Sequence, residues 1–199
     1  MFKTIDDLLR KKIVFADECA EYLTKDLCDK AVISSPNSAN AYNARGVFYS
    51  FNKNYERAVE EFNKAVLING NDWTIRFNLG YALSKAELYD EAAEHFRKVL
   101  SLNPDSNFID DGRELSVVFG ANHMLGACLV FNGKYAESIK YLDSAIKLNP
   151  SVYESYSCRA TAKMELGDEE GAMKDLKMFS YYADLLNPDA DDIISKIVK

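Results

Sequence analysis

Six side chains of this 199-residue chain are thiols or imidazoles, the commonest soft metal ligands and activated nucleophiles: Cys19, Cys28, Cys128, Cys158, His95 and His123. A thiol and an imidazole within hydrogen-bond reach would make an activated nucleophile, and thiols with imidazoles at short spacing would hold zinc. Neither pattern is present. His123 precedes Cys128 by five residues, which puts the two on different sides of a helix. There is no CxxC pair and no histidine at ligand spacing, so reduced thiols are expected, with disulfide staples as the minor alternative. His95 lies between Glu94 and Phe96 in a helical pattern, where a solvated or half-buried side chain is the ordinary outcome. The acid pairs Asp110–Asp111 and Asp191–Asp192 are sequence neighbours, so their carboxylates diverge. Gly112, Gly120 and Gly126 are strung along a helical pattern rather than gathered into a phosphate-cradling loop. These residues argue against an enzyme, and no metal or cofactor is expected.

The bulk composition narrows the partners. A net charge of −7 is the wrong sign for neutralising phosphates or adsorbing to anionic lipid, so neither nucleic acid nor membrane is expected. The start, "MFKTIDDLLRKKIVF", is broken by charges and lacks the apolar run of a secretory signal, which points to the cytoplasm. No stretch approaches the roughly 18 apolar residues of a membrane span. Four Pro and nine Gly leave little room for long linkers, and the abundant Ala, Leu, Glu and Lys favour helix.

Those helices are written in copies. "KNYERAVEEFNKAVLING" from Lys53, "ELYDEAAEHFRKVLSLNP" from Glu87, "GKYAESIKYLDSAIKLNP" from Gly133 and a weaker "GDEEGAMKDLKMFSYYAD" from Gly167 align. Their spacings are 34, 46 and 34 residues, the middle one being 34 plus an insertion of 12. A fixed period of this size marks stacked supersecondary units. Each unit reads as two amphipathic helices. In the second helix Ala58, Phe62 and Ala65 share a face, as do Ala92, Phe96 and Val99, then Ser138, Leu142 and Ala145, then Ala172, Leu176 and Phe179. In the leading helix a small residue recurs as Gly46, Gly80, Gly126 and Ala160. Glycine inside a helix costs about 1 kcal/mol relative to alanine, so its recurrence calls for a close approach, with the recurring Ala (Ser138 in the third unit) expected to face it. Pro104 and Pro150 close two of the units.

These residues resemble the tetratricopeptide repeat family, a helix–turn–helix of 34 residues. Tyr42, Gly46, Tyr49, Ala58, Phe62 and Ala65 match its pattern, as do Leu79, Gly80, Ala92, Phe96 and Pro104, then Leu125, Gly126, Ala145 and Pro150, then Tyr156 and Ala172. Gly70 in place of proline, and Arg45 and Arg159 where leucine is commonest, depart from it. The resemblance implies an all-α solenoid of stacked helix–turn–helix units coiled into a right-handed superhelix. The expected organisation is one domain: a degenerate helical pair over 1–38, repeats at 39–72, 73–106, 119–152 and 153–187, and a capping helix over 188–199. In that last segment Ala190, Ile193, Ile194, Ile197 and Val198 form one apolar stripe. The insertion, 107–118, is expected to lengthen the first helix of the third repeat. Asp111 and Glu114 form a D-x-x-E capping pattern, and the helix would run from near Gly112 to Phe131, about 30 Å.

The resemblance also implies a partner, a peptide or protein segment in a concave groove lined by the leading helices. Its outward positions are Asn40, Asn43, Val47 and Phe51 in the first repeat, and Phe77, Asn78, Tyr81 and Lys85 in the second. The third contributes His123, Ala127 and Phe131, the fourth Ser157 and Thr161. Family members that grip the acidic C-terminal tails of chaperones use a two-carboxylate clamp of Lys, Asn and Arg. Here Asn78 holds its middle site, but Asn43 and Val47 precede it and Gly120 and Met124 follow, so the neutralising charges are missing. That partner is not expected. A non-catalytic interaction module or scaffold is the leading function, and an assembly role through self-association is the alternative.

Overall fold

Several helices of the array begin where a short polar side chain holds an exposed N–H, and four helix pairs turn where the backbone enters the left-handed region. The computed structural model describes residues 23–102, 104–105, 107–110 and 113–186. Among them are nine helices: α1 (Lys25–Ser34), α2 (Ala39–Phe51), α3 (Tyr55–Ile68), α4 (Trp73–Lys85), α5 (Tyr89–Leu102), α6 (Val117–Phe131), α7 (Tyr135–Leu148), α8 (Glu154–Glu165) and α9 (Glu169–Leu186). Thr24, Ser38, Asn54 and Asp72 accept from backbone N–H groups at the starts of α1 to α4. Asp168 does the same for Gly171 N at the start of α9. Such caps contribute about 1 kcal/mol each.

The four turns inside the helix pairs of the repeats share one feature. Lys53, Glu87, Gly133 and Gly167, the first residues of the four aligned copies, all have positive φ, from 58° to 81°. The copies therefore start where they do because the chain must turn left-handed at that point.

The fold is all-α in its repeats, with one addition. The insertion does not lengthen a helix. Asn107–Asp110 (β1) pairs antiparallel with Arg113–Ser116 (β2), Phe108 opposite Leu115, and α6 starts only at Val117. The helix of twenty residues expected from Gly112 is thus one of 15. Its cap is Ser116, whose Oγ accepts from Phe119 N at 3.0 Å, and not the Asp111–Glu114 pattern. Two residues, Asp111 and Gly112, join the strands, and Asp-Gly is a strong hairpin signal in any sequence.

The described chain divides into two compact units, the first ending at Ala121 and the second beginning at Asn122. In the first, α1 packs with α2, α2 with α3, α3 with α4 and α4 with α5, and α2 also touches α4. In the second, α8 packs with α7 and with α9. The core is the recurring set: Ala58, Phe62 and Ala65 on α3, Ala92, Phe96 and Val99 on α5, and Leu142 and Ala145 on α7 are all fully buried. Fully burying each of the larger side chains contributes about 2–3 kcal/mol. The recurring glycines have the large members of this set, Phe62, Phe96 and Leu142, as their nearest side chains. A Cβ at Gly46 would lie 2.5 Å from Phe62 Cε1, at Gly80 3.0 Å from Phe96 Cζ, and at Gly126 2.6 Å from Leu142 Cγ. The residue that requires the glycine is four positions beyond the alanine expected to face it. The predicted capping helix, 188–199, and residues 1–22 of the N-terminal pair lie outside the described residues.

Candidate protein-binding face

In the first unit the leading helices α2 and α4 lie side by side, and a buried amide pair knits them. Asn78 Nδ2 donates to Asn43 Oδ1 at 2.8 Å, and both side chains are buried. Val47 and Phe77 are buried too, Phe77 edge-on to Phe96 with centroids 5.5 Å apart. Four residues expected to point outward thus belong to the seam and core, because a residue on the inner flank of one leading helix meets the next. Asn40 and Tyr81 are half-buried, Lys85 is exposed and Phe51 is 58% exposed. Lys85 Nζ sits 5.3 Å from the Tyr81 ring centroid, a cation–π placement. Phe51 and Lys85 hold the same register position on α2 and α4. Two hydroxyls nearby in sequence, Ser50 Oγ and Thr74 Oγ1, are buried without a protein partner.

In the second unit Phe131, at the same register position on α6, is 68% exposed, and Ala127 is half-buried. His123 Nδ1 lies 3.0 Å from the buried Ser155 Oγ. On α8, Ser157 is half-buried and Thr161 exposed, its hydroxyl donating to Ser157 O at 3.2 Å. Ser157 and Thr161 line a cavity of about 260 Å³ between α8 and α9.

Three of the cysteines and His95 are held in their neutral forms. Burial pushes the Cys28 and Cys128 thiols up to about 12 and Cys158 to about 11, far from thiolate at neutral pH. His95 is brought down to about 4, first by burial and then by the Arg76 guanidinium, whose Nη1 lies 3.3 Å from His95 Nδ1. A guanidinium has no acceptor, so this nitrogen accepts and the imidazole is neutral. Among the described residues no group of three His, Cys, Asp or Glu side chains can hold a metal, and no helix is long and apolar enough to cross a membrane.

Two arginines carry what the sequence did not announce as a site. Arg45 donates to Glu61 through Nε at 2.9 Å and to Asp29 through Nη1 at 3.1 Å, over the Tyr42 ring. Arg159 repeats this geometry with Asp175 at 2.8 Å and Asp143 at 2.5 Å, over Tyr156. Each reaches one acid 16 residues before it and one 16 residues after. The second and third repeats have Leu79 and Leu125 there, with His95 and Tyr141 sixteen residues on. The signal was legible: an arginine replaces leucine only where acids flank it at that interval.

A stack of helix hairpins with recurring sealed cores and exposed aromatic residues at the ends of its leading helices has the architecture of a protein-interaction module. Models of the tetratricopeptide repeat match residues 27–60, 74–106 and 119–152, and the chain belongs to that family. The family's members typically bind protein or peptide partners without catalysis. Over 139 residues the chain is 26% identical to the Caenorhabditis elegans tetratricopeptide repeat-containing protein trd-1, covering 68% of this chain and 16% of that protein. Over 176 residues it is 27% identical to human DnaJ homolog subfamily C member 3, covering 86% of this chain and 34% of that one. The chain therefore spans between a sixth and about a third of these relatives. Among solved structures, YrrB, described as a tetratricopeptide repeat protein with an unusual peptide-binding site, superposes with a TM-score of 0.71 at 18% identity, covering 98% of this chain and 94% of that one.

Proposed function

We propose that the α2/α4 face binds a protein segment, with Phe51 and Tyr81 as apolar anchors and Lys85 supplying the one charge. The observation that carries this is a phenylalanine left 58% exposed at the register position beside the Tyr81–Lys85 pair. An exposed phenylalanine and a half-buried tyrosine suit an extended segment whose side chains fill apolar seats. Asn40, half-buried at the start of α2, is a polar group within reach of such a segment. A peptide-binding site in YrrB, a protein of the same fold, supports the reading. Panning a random dodecapeptide display library on the full chain, then titrating the selected peptides, tests it. Phe51→Ala/Tyr81→Ala should weaken binding at least tenfold, and unchanged affinity removes the assignment.

Self-association has one observation in its favour. Ile33 on α1 and Leu67 on α3 occupy the same register position and are 80% and 86% exposed, with Ile68 beside them. Sedimentation velocity separates the two readings. A dimer that Ile33→Lys/Leu67→Lys converts to monomer supports association through this strip, and a wild-type monomer at every concentration discards it.

A further inference from the structure

Three asparagines of the chain precede a glycine or a serine: Asn37 before Ser38, Asn69 before Gly70 and Asn132 before Gly133. The side-chain amide carbon of such an asparagine can be attacked by the backbone nitrogen of the next residue, which a small neighbour leaves accessible. Attack needs a nitrogen that is not held in another hydrogen bond and a side chain open to water.

The three positions differ on both counts. Ser38 N donates to Ser35 O at 3.0 Å and Gly133 N to Val130 O at 2.9 Å, so both nitrogens are held in turns. Asn132 is half-buried as well, and its Nδ2 is shut off from solvent. Asn69, the cap residue that follows α3, is exposed, as are Leu67 and Ile68 before it. Among the described residues Gly70 N donates to no acceptor.

We propose that Asn69 is a site of spontaneous covalent modification, converting through a succinimide to aspartate and isoaspartate while Asn132 persists. Gly70 N forms a bond to Asn69 Cγ and gives up its proton, and the Cγ–Nδ2 bond breaks to release ammonia. Water then opens the five-membered ring at either carbonyl. Opening at the side-chain carbonyl leaves aspartate; opening at the main-chain carbonyl leaves isoaspartate, with the chain rerouted through Cβ and Cγ. Water is the one co-reactant, and nothing is oxidised or reduced.

The consequence falls on the junction between α3 and α4. Asn69 O accepts from Asp72 N at 3.4 Å, and Gly70 O accepts from Arg76 Nε. Arg76 also reaches His95 Nδ1 of α5 at 3.3 Å, so one guanidinium ties this turn to two helices. Isoaspartate adds a methylene to the backbone just before Gly70, which shifts Gly70 O away from Arg76. Either product places a carboxylate at the C-terminal end of α3, where the helix dipole disfavours it. The start of α4 loosens as a result. None of this depends on what the α2/α4 face binds.

Ageing the purified full chain in warm neutral buffer, followed by peptide mass spectrometry, tests the site. The peptide holding Asn69 should show amide-to-acid conversion at least tenfold faster than the peptide holding Asn132. In urea the rate at Asn132 should rise at least tenfold, because unfolding frees Gly133 N. A methyltransferase specific for isoaspartyl carboxylates should label the aged chain, and Asn69→Gln should remove most of that label. A difference smaller than tenfold in the folded chain, or a rate at Asn132 that unfolding leaves unchanged, overturns the proposal. Hydrogen exchange on the separated isoaspartyl form should show the first turn of α4 opening at least tenfold faster than in the unaged chain. Unchanged exchange there overturns the consequence drawn for α4.

Discussion

Lys53 and Glu87 sit at φ of 58° and 63°, where a side chain costs on the order of 1 kcal/mol, while the equivalent turns use Gly133 and Gly167. A Cβ at either glycine would meet nothing within 4 Å, so the cost is in the backbone alone. Lys53→Gly and Glu87→Gly should each raise stability by about 0.5 kcal/mol, the strain relieved being partly offset by unfolded-chain entropy, and Gly133→Ala should lower it by about 1 kcal/mol. Urea midpoints at constant slope measure both signs. His95 gives a second residue-scale outcome. Its folded value of about 4 lies below the 6.5 of the unfolded chain, so acid is taken up first by the unfolded state. The contribution is complete above pH 6.5 and is lost as pH falls toward 4. Allowing for solvent screening at a half-buried ring, the loss is about 1–2 kcal/mol. Stability of the unmutated chain should therefore fall more between pH 7 and 4.5 than that of His95→Gln, and parallel profiles would show that Arg76 and burial do not act on the ring as described.

At the scale of elements, the arginine clasps show how one register position is filled in two ways. Where leucine occupies it, the partner sixteen residues on is His95 or Tyr141; where arginine does, the partner is Glu61 or Asp175. Asp175 is buried and also receives Lys163 at 2.9 Å, so Arg159→Leu leaves a carboxylate short of its main partner. Such a break costs about 3 kcal/mol, whereas replacing both ends of a buried pair by a packed apolar combination is nearly neutral. Arg159→Leu/Asp175→Tyr, copying Leu125 and Tyr141, should recover at least half of the loss in chemical denaturation. A double variant as unstable as the single one would mean that the clasp cannot be exchanged for the apolar solution. The helices themselves were readable because apolar residues recur at three and four over fourteen positions, too long a run to be accidental. The hairpin was not. Four residues per strand are too few to establish alternation, and Leu115, Val118, Phe119 and Asn122 happen to continue a helical spacing, so the Asp111–Gly112 turn signal was outweighed. The face was half readable for a related reason. Periodicity along α2 and α4 separates core from surface, but it cannot say that Asn43, Val47, Phe77 and Asn78 are spent on the contact between those helices.

For the whole molecule, stability should be distributed by unit, because among the described residues the helix contacts join sequence neighbours, apart from the α2/α4 seam inside the first unit. Phe62, Phe96 and Leu142 each seal one repeat against the glycine of its own leading helix. In such arrays stability is a sum of repeat and nearest-neighbour contributions, and a local fault loosens its own repeat first. Gly126→Ala places a Cβ 2.6 Å from Leu142 Cγ, within the unit that begins at Asn122. Overpacking of this kind costs about 1–3 kcal/mol. Hydrogen exchange should then show amides of α7 and α8 opening at least tenfold faster while those of α2 and α3 keep their rates. Gly80→Ala, whose Cβ would stand 3.0 Å from Phe96 Cζ, is the milder reciprocal fault and should loosen α4 and α5 while leaving α7 and α8 unchanged. If either variant speeds exchange equally in both units, the chain opens as one cooperative block, and the independence that the local contacts imply does not hold.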